Sequence, residues 1–149
     1  HAIDLHDADL HGIKVVGANL NEAKLAGAKL NDATLVGVNA RDADLSRTDL
    51  RGANLIGASL RNARLSGATI GDAVLCTQNR DDGSYGDDRS DRRTVCADLR
   101  GVDLHGLDFR AARYCARESR DAVRTCRTVT RQELIDYGHA DLTGAQAPA

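Results

Sequence analysis

A five-residue period runs through the first half of the chain without a break. From Ile3 to Thr77, fifteen consecutive pentads have an apolar centre, and alanine stands two residues before that centre in eleven of them. An α-helix requires apolar residues at every third or fourth position and a flat strand at every second, so neither element fits this period. A fixed short repeat indicates stacked structural units instead. The central residues are Leu5, Leu10, Val15, Leu20, Leu25, Leu30, Leu35, Ala40, Leu45, Leu50, Leu55, Leu60, Leu65, Ile70 and Leu75.

A short straight edge ending in a turn would bury the two marked positions of each pentad and expose the others. Four such edges close a square coil, and adjacent coils can then stack at the β-sheet spacing of about 4.8 Å. In that arrangement the backbone groups of each edge pair with the coils above and below. The period therefore predicts an all-β solenoid whose core is a column of leucines beside a column of alanines.

Four runs of residues carry a family resemblance: Ala18-Asn19-Leu20, Ala43-Asp44-Leu45, Ala53-Asn54-Leu55 and Ala97-Asp98-Leu99. They resemble the A-(D/N)-L-x-x signature of pentapeptide-repeat proteins. The resemblance implies a right-handed quadrilateral β-helix over residues 3–77, 97–116 and 140–149. It is specific for the fold and weak for function, because one fold supports many activities.

We expect a single domain over residues 1–149, with a core too thin for large rings, since aromatic residues make up 3% of the chain. The chain begins at His1, which favours a processed form, an excised domain or an engineered protein. The expected segments are regular coils over 3–77, a polar loop insertion over 78–96, a further coil over 97–116, irregular or helical structure over 117–139 and a tail over 140–149.

One or two short helices are expected near the C-terminus. Residues Glu118 to Thr125 form the first candidate. Residues Arg131 to Tyr137 form the second, because Thr130 and Glu133 before and within it resemble a capping box.

The four cysteines lie at or beyond the end of the regular block. Cys76 and Cys96 bracket one irregular stretch, and Cys115 and Cys126 bracket the next. Local pairing would close both stretches and lower the entropy of the unfolded chain. Pairing of Cys76 with Cys115 on stacked coils stays open, as do free thiols. Disulfides favour an extracytoplasmic or secreted protein, with a cytoplasmic one as the alternative.

One face of the predicted coil has apolar residues just after its central positions. These are Val16, Val36 and Ile56, each followed by glycine. An outward apolar strip marks a contact surface, so these residues are candidates for an interface with a partner protein or a second copy of the chain. The alternative is that one of the irregular segments folds back over the strip.

Arginines recur at steps of three and four near the second irregular stretch. On a helix, five of them would form a basic stripe: Arg113, Arg117, Arg120, Arg124 and Arg127. A continuous helix would hold Cys115 and Cys126 about 16 Å apart, so it excludes their disulfide. Nucleic acid is not the expected partner, because the net charge is −2 and no aromatic residues interleave with the arginines.

The sequence contains no motif for catalysis, for a cofactor or for a metal. His6 and His11 fall at solvent-facing positions, where no pocket would shift a pKa. No apolar run is long enough to cross a membrane. We therefore expect a non-catalytic interaction or scaffold module without a small-molecule substrate.

The alternative function comes from the resemblance, since some pentapeptide-repeat proteins mimic DNA, bind gyrase and protect it from quinolones. That mimicry needs a coherent run of negative charge. The predicted charge columns alternate in sign instead: one reads Asp4, Lys24, Asp44, Arg64 and the next reads Asp9, Lys29, Asp49, Thr69.

Overall fold

The first part of the chain winds into a four-sided β-solenoid. The computed structural model describes residues 2–80, 92–116 and 125–149. Parallel bridges join residues twenty positions apart, beginning with Asp4 to Lys24 and Asp9 to Lys29. We name the four sides face 1 to face 4 after the residues that occupy them in the first coil: Asp4, Asp9, Lys14 and Asn19.

The coils are held together by a regular backbone ladder. In one rung, Leu5 N–H donates to the Lys24 carbonyl and Lys24 N–H donates to the Ile3 carbonyl, both at 2.8 Å. The same exchange recurs one coil higher, where Leu25 N–H donates to Asp44 at 2.8 Å. Coils 1, 2 and 3 span residues 3–22, 23–42 and 43–62 on this register. Leu25 and Leu45 therefore lie one above the other, as the five-residue period predicts.

The corners explain the chemistry of the repeat. In the first corner Ala8 N–H donates to the Leu5 carbonyl at 3.1 Å, and Asp7 has a φ of 57°. Asp7 is the third of the four turn residues 5–8. A positive φ at that residue alone is the geometry of a type II turn, which favours glycine or asparagine at this position. At Gly27, one coil above, a side chain would also overlap the Asp7 carboxylate.

Where Asp or Asn stands before a centre, its side chain can close the corner. The Oδ1 atom of Asp44 accepts a hydrogen bond from Ser46 N–H, and Oδ1 of Asn54 accepts one from Ile56 N–H, both at 3.1 Å. Short Asx side chains are suited to this bond with the backbone two residues on. This is the physical reason for Asp or Asn in the repeat signature.

Leucine and alanine fill the interior, as predicted. Leu25, Leu45 and Leu65 are 1–3% exposed, and Ala23 and Ala43 are fully buried. In coil 1 the central side chains are only partly buried.

Two insertions leave the solenoid at the same corner, between faces 3 and 4. The first contains strands β1 (Val74–Arg80) and β2 (Arg92–Cys96), and the second contains β3 (Arg113–Ala116) and β4 (Thr125–Thr128). Each pair is antiparallel, β1 and β3 are parallel, and the four strands form one sheet in the order β2-β1-β3-β4. We call this the lateral sheet.

The lateral sheet differs from the expected loop and helix. Both ends of the segment 78–96 are strands, because a disulfide aligns their roots in register and Thr94 and Val95 favour extended backbone. Residues 81–91 lie outside the described part of the chain. The helix expected over Glu118 to Thr125 is wrong at Thr125, which pairs with Ala116, and residues 118–124 lie outside the described residues.

The chain then returns to the solenoid through a short helix. Helix α1 (Arg131–Asp136) begins with the expected capping box: Thr130 Oγ1 accepts from Glu133 N–H, and the Glu133 carboxylate accepts from Thr130 N–H. Beyond it Gly138 stacks on face 4, since its carbonyl accepts from Leu99 N–H at 2.8 Å. The tail 140–149 adds a partial coil, with Gln146 bridged to Asp108.

Candidate functional site

The apolar strip of Val16, Val36 and Ile56 occupies one corner of three successive coils. Gly17 N–H donates to Val36 and Gly37 N–H donates to Ile56, both at 2.9 Å, so the three residues are stacked in register. Their exposure falls steeply along the column. Val16 is 69% exposed, Val36 is half-buried and Ile56 is 8% exposed. The strip is therefore open at one end and closed at the other.

The lateral sheet covers the closed end. Ile56 packs with Val74 and Cys115, and Val36 lies against the same cluster. Ile56 is thus unavailable to a partner, which corrects its place in the expected interface. An irregular segment does fold back over the strip, but it reaches only the upper part and leaves Val16 open.

One sequence signal could have revealed this cover. The position before each central residue is polar in every pentad of the regular block except one, where Val74 stands. An apolar side chain at a solvent-facing position indicates that something packs on it. Val74 is 7% exposed, and it lies at the root of β1.

Two disulfides close the roots of the insertions. Cys76 is bonded to Cys96 and Cys115 to Cys126, which is the local pairing rather than the stacked one. Each pair occupies directly opposed positions of an antiparallel ladder. The two insertions also bond to each other, since Thr77 Oγ1 donates to the Cys115 carbonyl at 2.6 Å. The sheet is therefore tied both within and between its hairpins.

The arginines of the expected basic stripe are not on one helix. Arg113 lies on β3 and Arg127 on β4, and Arg117, Arg120 and Arg124 lie outside the described residues. The Arg113 Nε–H donates to the Asp72 carbonyl at 2.7 Å. The continuous helix is excluded because Arg113 and Arg127 belong to adjacent paired strands.

Arg127 joins β4 to helix α1. Its guanidinium donates to both carboxylate oxygens of Glu133 at 2.7 and 3.0 Å and stacks 4.1 Å from the Tyr114 ring centroid. Burial raises the pKa of Glu133, but the hydrogen bonds from Arg127 and Thr130 outweigh it and hold that pKa below its ordinary value. The bonds to Glu133 likewise raise the pKa of Arg127. This cluster was not predicted, because its members are brought together only by the fold.

The charge columns on faces 1 and 2 alternate in sign as expected. Backbone β-bridges stack Asp4, Lys24, Asp44 and Arg64 one above another on face 1. The short ion pairs form within a coil, between residues two positions apart. Asp49 pairs with Arg51 at 2.6 Å, and Asp108 pairs with Arg110 at 3.0 Å. Bonds from Arg51 lower the pKa of Asp49, and bonds from Arg110 lower that of Asp108. These faces present paired charges rather than one sign.

The solenoid also encloses an apolar cavity. A cavity of about 60 Å³ runs along the solenoid axis, and all of its lining side chains are apolar, including Leu25, Leu45 and Val38. His6 and His11 are exposed, each bonded to the aspartate two residues earlier at 2.6 Å. In the described ranges there is no cluster of residues suited to hold a metal ion. Across those same ranges, no helix has the length and hydropathy to span a bilayer.

Comparison with known proteins identifies the family that the five-residue repeat matches. Residues 3–39 and 41–75 match the family profile of pentapeptide repeats in eight copies. A pentapeptide-repeat protein of Nostoc is 25% identical, with a TM-score of 0.51, over 96% of this chain and 83% of its own length. Among curated proteins none matches the sequence significantly.

Two further solved structures are similar to this chain at lower TM-scores. A pentapeptide-repeat protein of the Arabidopsis thaliana thylakoid lumen is 26% identical, with a TM-score of 0.45. The match covers 74% of this chain and 64% of the length of the Arabidopsis protein. The plasmid-mediated fluoroquinolone resistance protein QnrB1 is 16% identical with a TM-score of 0.41, over 73% of this chain and 49% of its own.

Proposed function

Since this chain belongs to the pentapeptide-repeat family, we propose that it is a non-catalytic protein-interaction module whose contact surface includes the open end of the apolar strip. One observation carries the proposal. Val16 is 69% exposed and continues a column whose other end is buried beneath the lateral sheet. A partner that covers Val16 would extend a contact surface that the chain itself has already half closed.

The ordered neighbours of Val16 favour a protein partner. Below the lateral sheet, face 3 presents Lys14 and Thr34 beside the strip, so a polar rim borders the apolar centre. That composition is typical of the contact patch between proteins, where an apolar core is surrounded by polar groups. The partner is a second copy of the chain or another protein with an apolar surface.

Val16→Lys tests the proposal without disturbing the fold. A charge at this exposed corner should weaken self-association, or the binding of a partner recovered from the source cells, by about tenfold or more. Sedimentation velocity over a range of concentrations measures the first, and far-UV circular dichroism should stay unchanged. Ser66→Lys, at an exposed corner of another face, is the matched control. Equal binding by both variants would remove Val16 from the interface.

We further propose that the protein works in an oxidising compartment, outside the cytoplasm. The two disulfides support this, because such bonds persist where thiols are not kept reduced. Thiol counting on protein from its native source, denatured with and without reductant, checks it. Free thiols before reduction would contradict the localisation and leave the interaction proposal untouched.

The organisation of the chain belongs to the same proposal. Both insertions pair with the solenoid through face 3, which supports a single domain over residues 1–149. A single cooperative unfolding transition is the expected result. The right-handed winding implied by the family is also proposed, and an experimental structure would check it.

Gyrase binding by DNA mimicry is the alternative function. The alternation of charge on faces 1 and 2 counts against it, because a phosphate-binding site needs one sign of charge. A gyrase supercoiling assay with a quinolone separates the two functions. Protection at stoichiometric protein would reverse our preference.

A further inference from the structure

The backbone ladder is interrupted at one joint of the solenoid. Coil 4 begins at residue 63, passes through the first insertion and ends at 101, and coil 5 begins at 102. On faces 1 and 2, coil 4 bonds normally to the coil beneath it: Leu45 N–H donates to Arg64 and Leu50 N–H donates to Thr69, both at 2.8 Å.

The equivalent bonds above coil 4 are missing. Within the described ranges 63–72 and 101–110, Leu65 and Ile70 have no backbone bond to coil 5. The return bonds are also absent there, and neither Arg64 nor Thr69 bridges its counterpart, Asp103 or Asp108. The two coils therefore touch on these faces through side chains alone.

The interruption coincides with larger side chains in coil 5. Coil 4 has alanine, Ala63 and Ala68, at the small positions of faces 1 and 2. Coil 5 has Val102 and Leu107 at those positions and Phe109 at a centre, and these three side chains are at most 4% exposed. A single larger residue is tolerated, since the Val38 carbonyl still accepts from Ser59 N–H at 2.8 Å, so we attribute the interruption to Leu107 and Phe109 on one edge.

Coil 5 bonds instead to the tail above it. Phe109 N–H donates to Gln146 and Gln146 N–H donates to Leu107, both at 2.8 Å, and Gly106 N–H donates to Gly144 at 3.0 Å. Coil 5 and the tail thus share a ladder of their own. We call residues 102–116 and 129–149 together the C-terminal cap.

The cap stays attached to coil 4 on the two remaining faces. On face 3 Arg113 N–H donates to Ala73 at 2.9 Å, β3 pairs with β1, and the Arg113 side chain reaches Asp72. On face 4 Leu99 N–H donates to Gly138 at 2.8 Å. All of these bonds lie around the corner where the disulfide-closed insertions emerge.

We propose that the C-terminal cap moves as a unit about the corner between faces 3 and 4, opening the joint on faces 1 and 2. The bonded corner is the hinge, and on faces 1 and 2 no backbone hydrogen bond between residues 63–72 and 101–110 has to break. Opening exposes Leu65, Ile70 and Phe109, which are at most 3% exposed when the joint is closed. The cap is therefore a conformational device that uncovers an apolar surface inside the solenoid.

Amide hydrogen exchange tests the interrupted ladder with internal controls. Leu65 and Ile70 should exchange about tenfold or more faster than Leu45 and Leu50, their equivalents one coil below, because they lack the bond that protects those amides. Equal protection of the two sets would overturn the proposal. The double substitution Leu107→Ala with Phe109→Leu restores the regular core and should slow exchange at Leu65 and Ile70.

Fluorine NMR separates a moving joint from a fixed gap in the unmutated chain. Phe109 is the only phenylalanine, so fluorophenylalanine gives one resonance from the joint itself. Opening on the microsecond to millisecond timescale should produce relaxation dispersion and a shift on transfer to D₂O. A single sharp line with neither effect would mean a rigid cap and would refute the hinge, even if the amides exchange quickly.

Discussion

Substitutions along the apolar strip provide the sharpest test of how the lateral sheet packs. The strip places three similar side chains one above another, so burial is the main variable between them. Val16 is 69% exposed, Val36 is half-buried and Ile56 is 8% exposed. Alanine at each position should therefore destabilise the protein in that order, with Ile56 the most sensitive.

The magnitude follows from what each side chain loses. Ile56→Ala removes carbon atoms that pack against Val74 and Cys115, at about 0.8 kcal/mol per buried methylene, and leaves a cavity. We expect a loss of about 2 to 4 kcal/mol. Val36→Ala should cost about 1 kcal/mol, because only part of its surface is covered. Val16→Ala should lie within about 0.5 kcal/mol of the parent protein.

Urea unfolding followed by far-UV circular dichroism, with the disulfides intact, measures all three variants. The midpoint should fall for Ile56→Ala while the slope with denaturant stays constant, which indicates a change of stability alone. Ile56→Val is a milder step and should cost about 1 kcal/mol. A strip that lies free of the lateral sheet makes the opposite prediction. If Ile56→Ala matches Val16→Ala, the cover is not formed in solution.

Three further predictions concern the C-terminal half. Replacing Cys76 and Cys96 together with alanine should cost about 3 kcal/mol of stability, given the separation of 20 residues, as measured by urea unfolding against the oxidised parent. Thr130→Ala removes the cap of α1 and should cost about 1 kcal/mol, whereas Thr130→Ser should be nearly neutral by the same assay. The pKa of Glu133 is lowered in the folded protein, so its contribution is complete above the ordinary value of 4.5 and is lost as pH falls through the folded pKa. Stability measured from pH 7 to 3 should show this loss, and Arg127→Gln should reduce it; an unchanged pH profile in that variant would contradict the assignment.

The local chemistry of the repeat is predictable from the amino-acid sequence alone. Asp or Asn before the central leucine and glycine after it each serve one corner, as Asp44 and Gly27 illustrate. Alanine and leucine alternate in the regular coils because most edges there bury one small and one medium side chain, as Ala23 and Leu25 do. These requirements are satisfied within one pentad and its neighbours one coil away, so a short period predicts them correctly.

The insertions were harder to predict because their partners are distant in sequence. Nothing local indicates that β1 pairs with β3, or that Thr77 bonds Cys115 across 38 residues. The helix predicted from the spacing of the arginines is wrong for the same reason, because the strands that carry Arg113 and Arg127 pair with each other. Cross-strand pairing and a disulfide overrode a periodicity that is compatible with a helix.

The candidate surface shows the same division. Its three members could be selected from their position in the repeat, since a β-branched residue has no reason to face water there. Whether each faces water depended on the lateral sheet, which buries Ile56 and leaves Val16 open. The corner that Val16 occupies was predictable, but its exposure was not.

The sequence by itself determined the square coil, its register and its thin core, because every one of those features repeats with the five-residue period. Only the tertiary structure decided where the solenoid is covered, how the two insertions join and why the ladder breaks above coil 4. Those outcomes depend on contacts between segments that lie on different coils, and on the summed volume of Leu107 and Phe109 on one edge. A periodic pattern describes what each repeat shares with the others, whereas covers and joints arise where repeats differ.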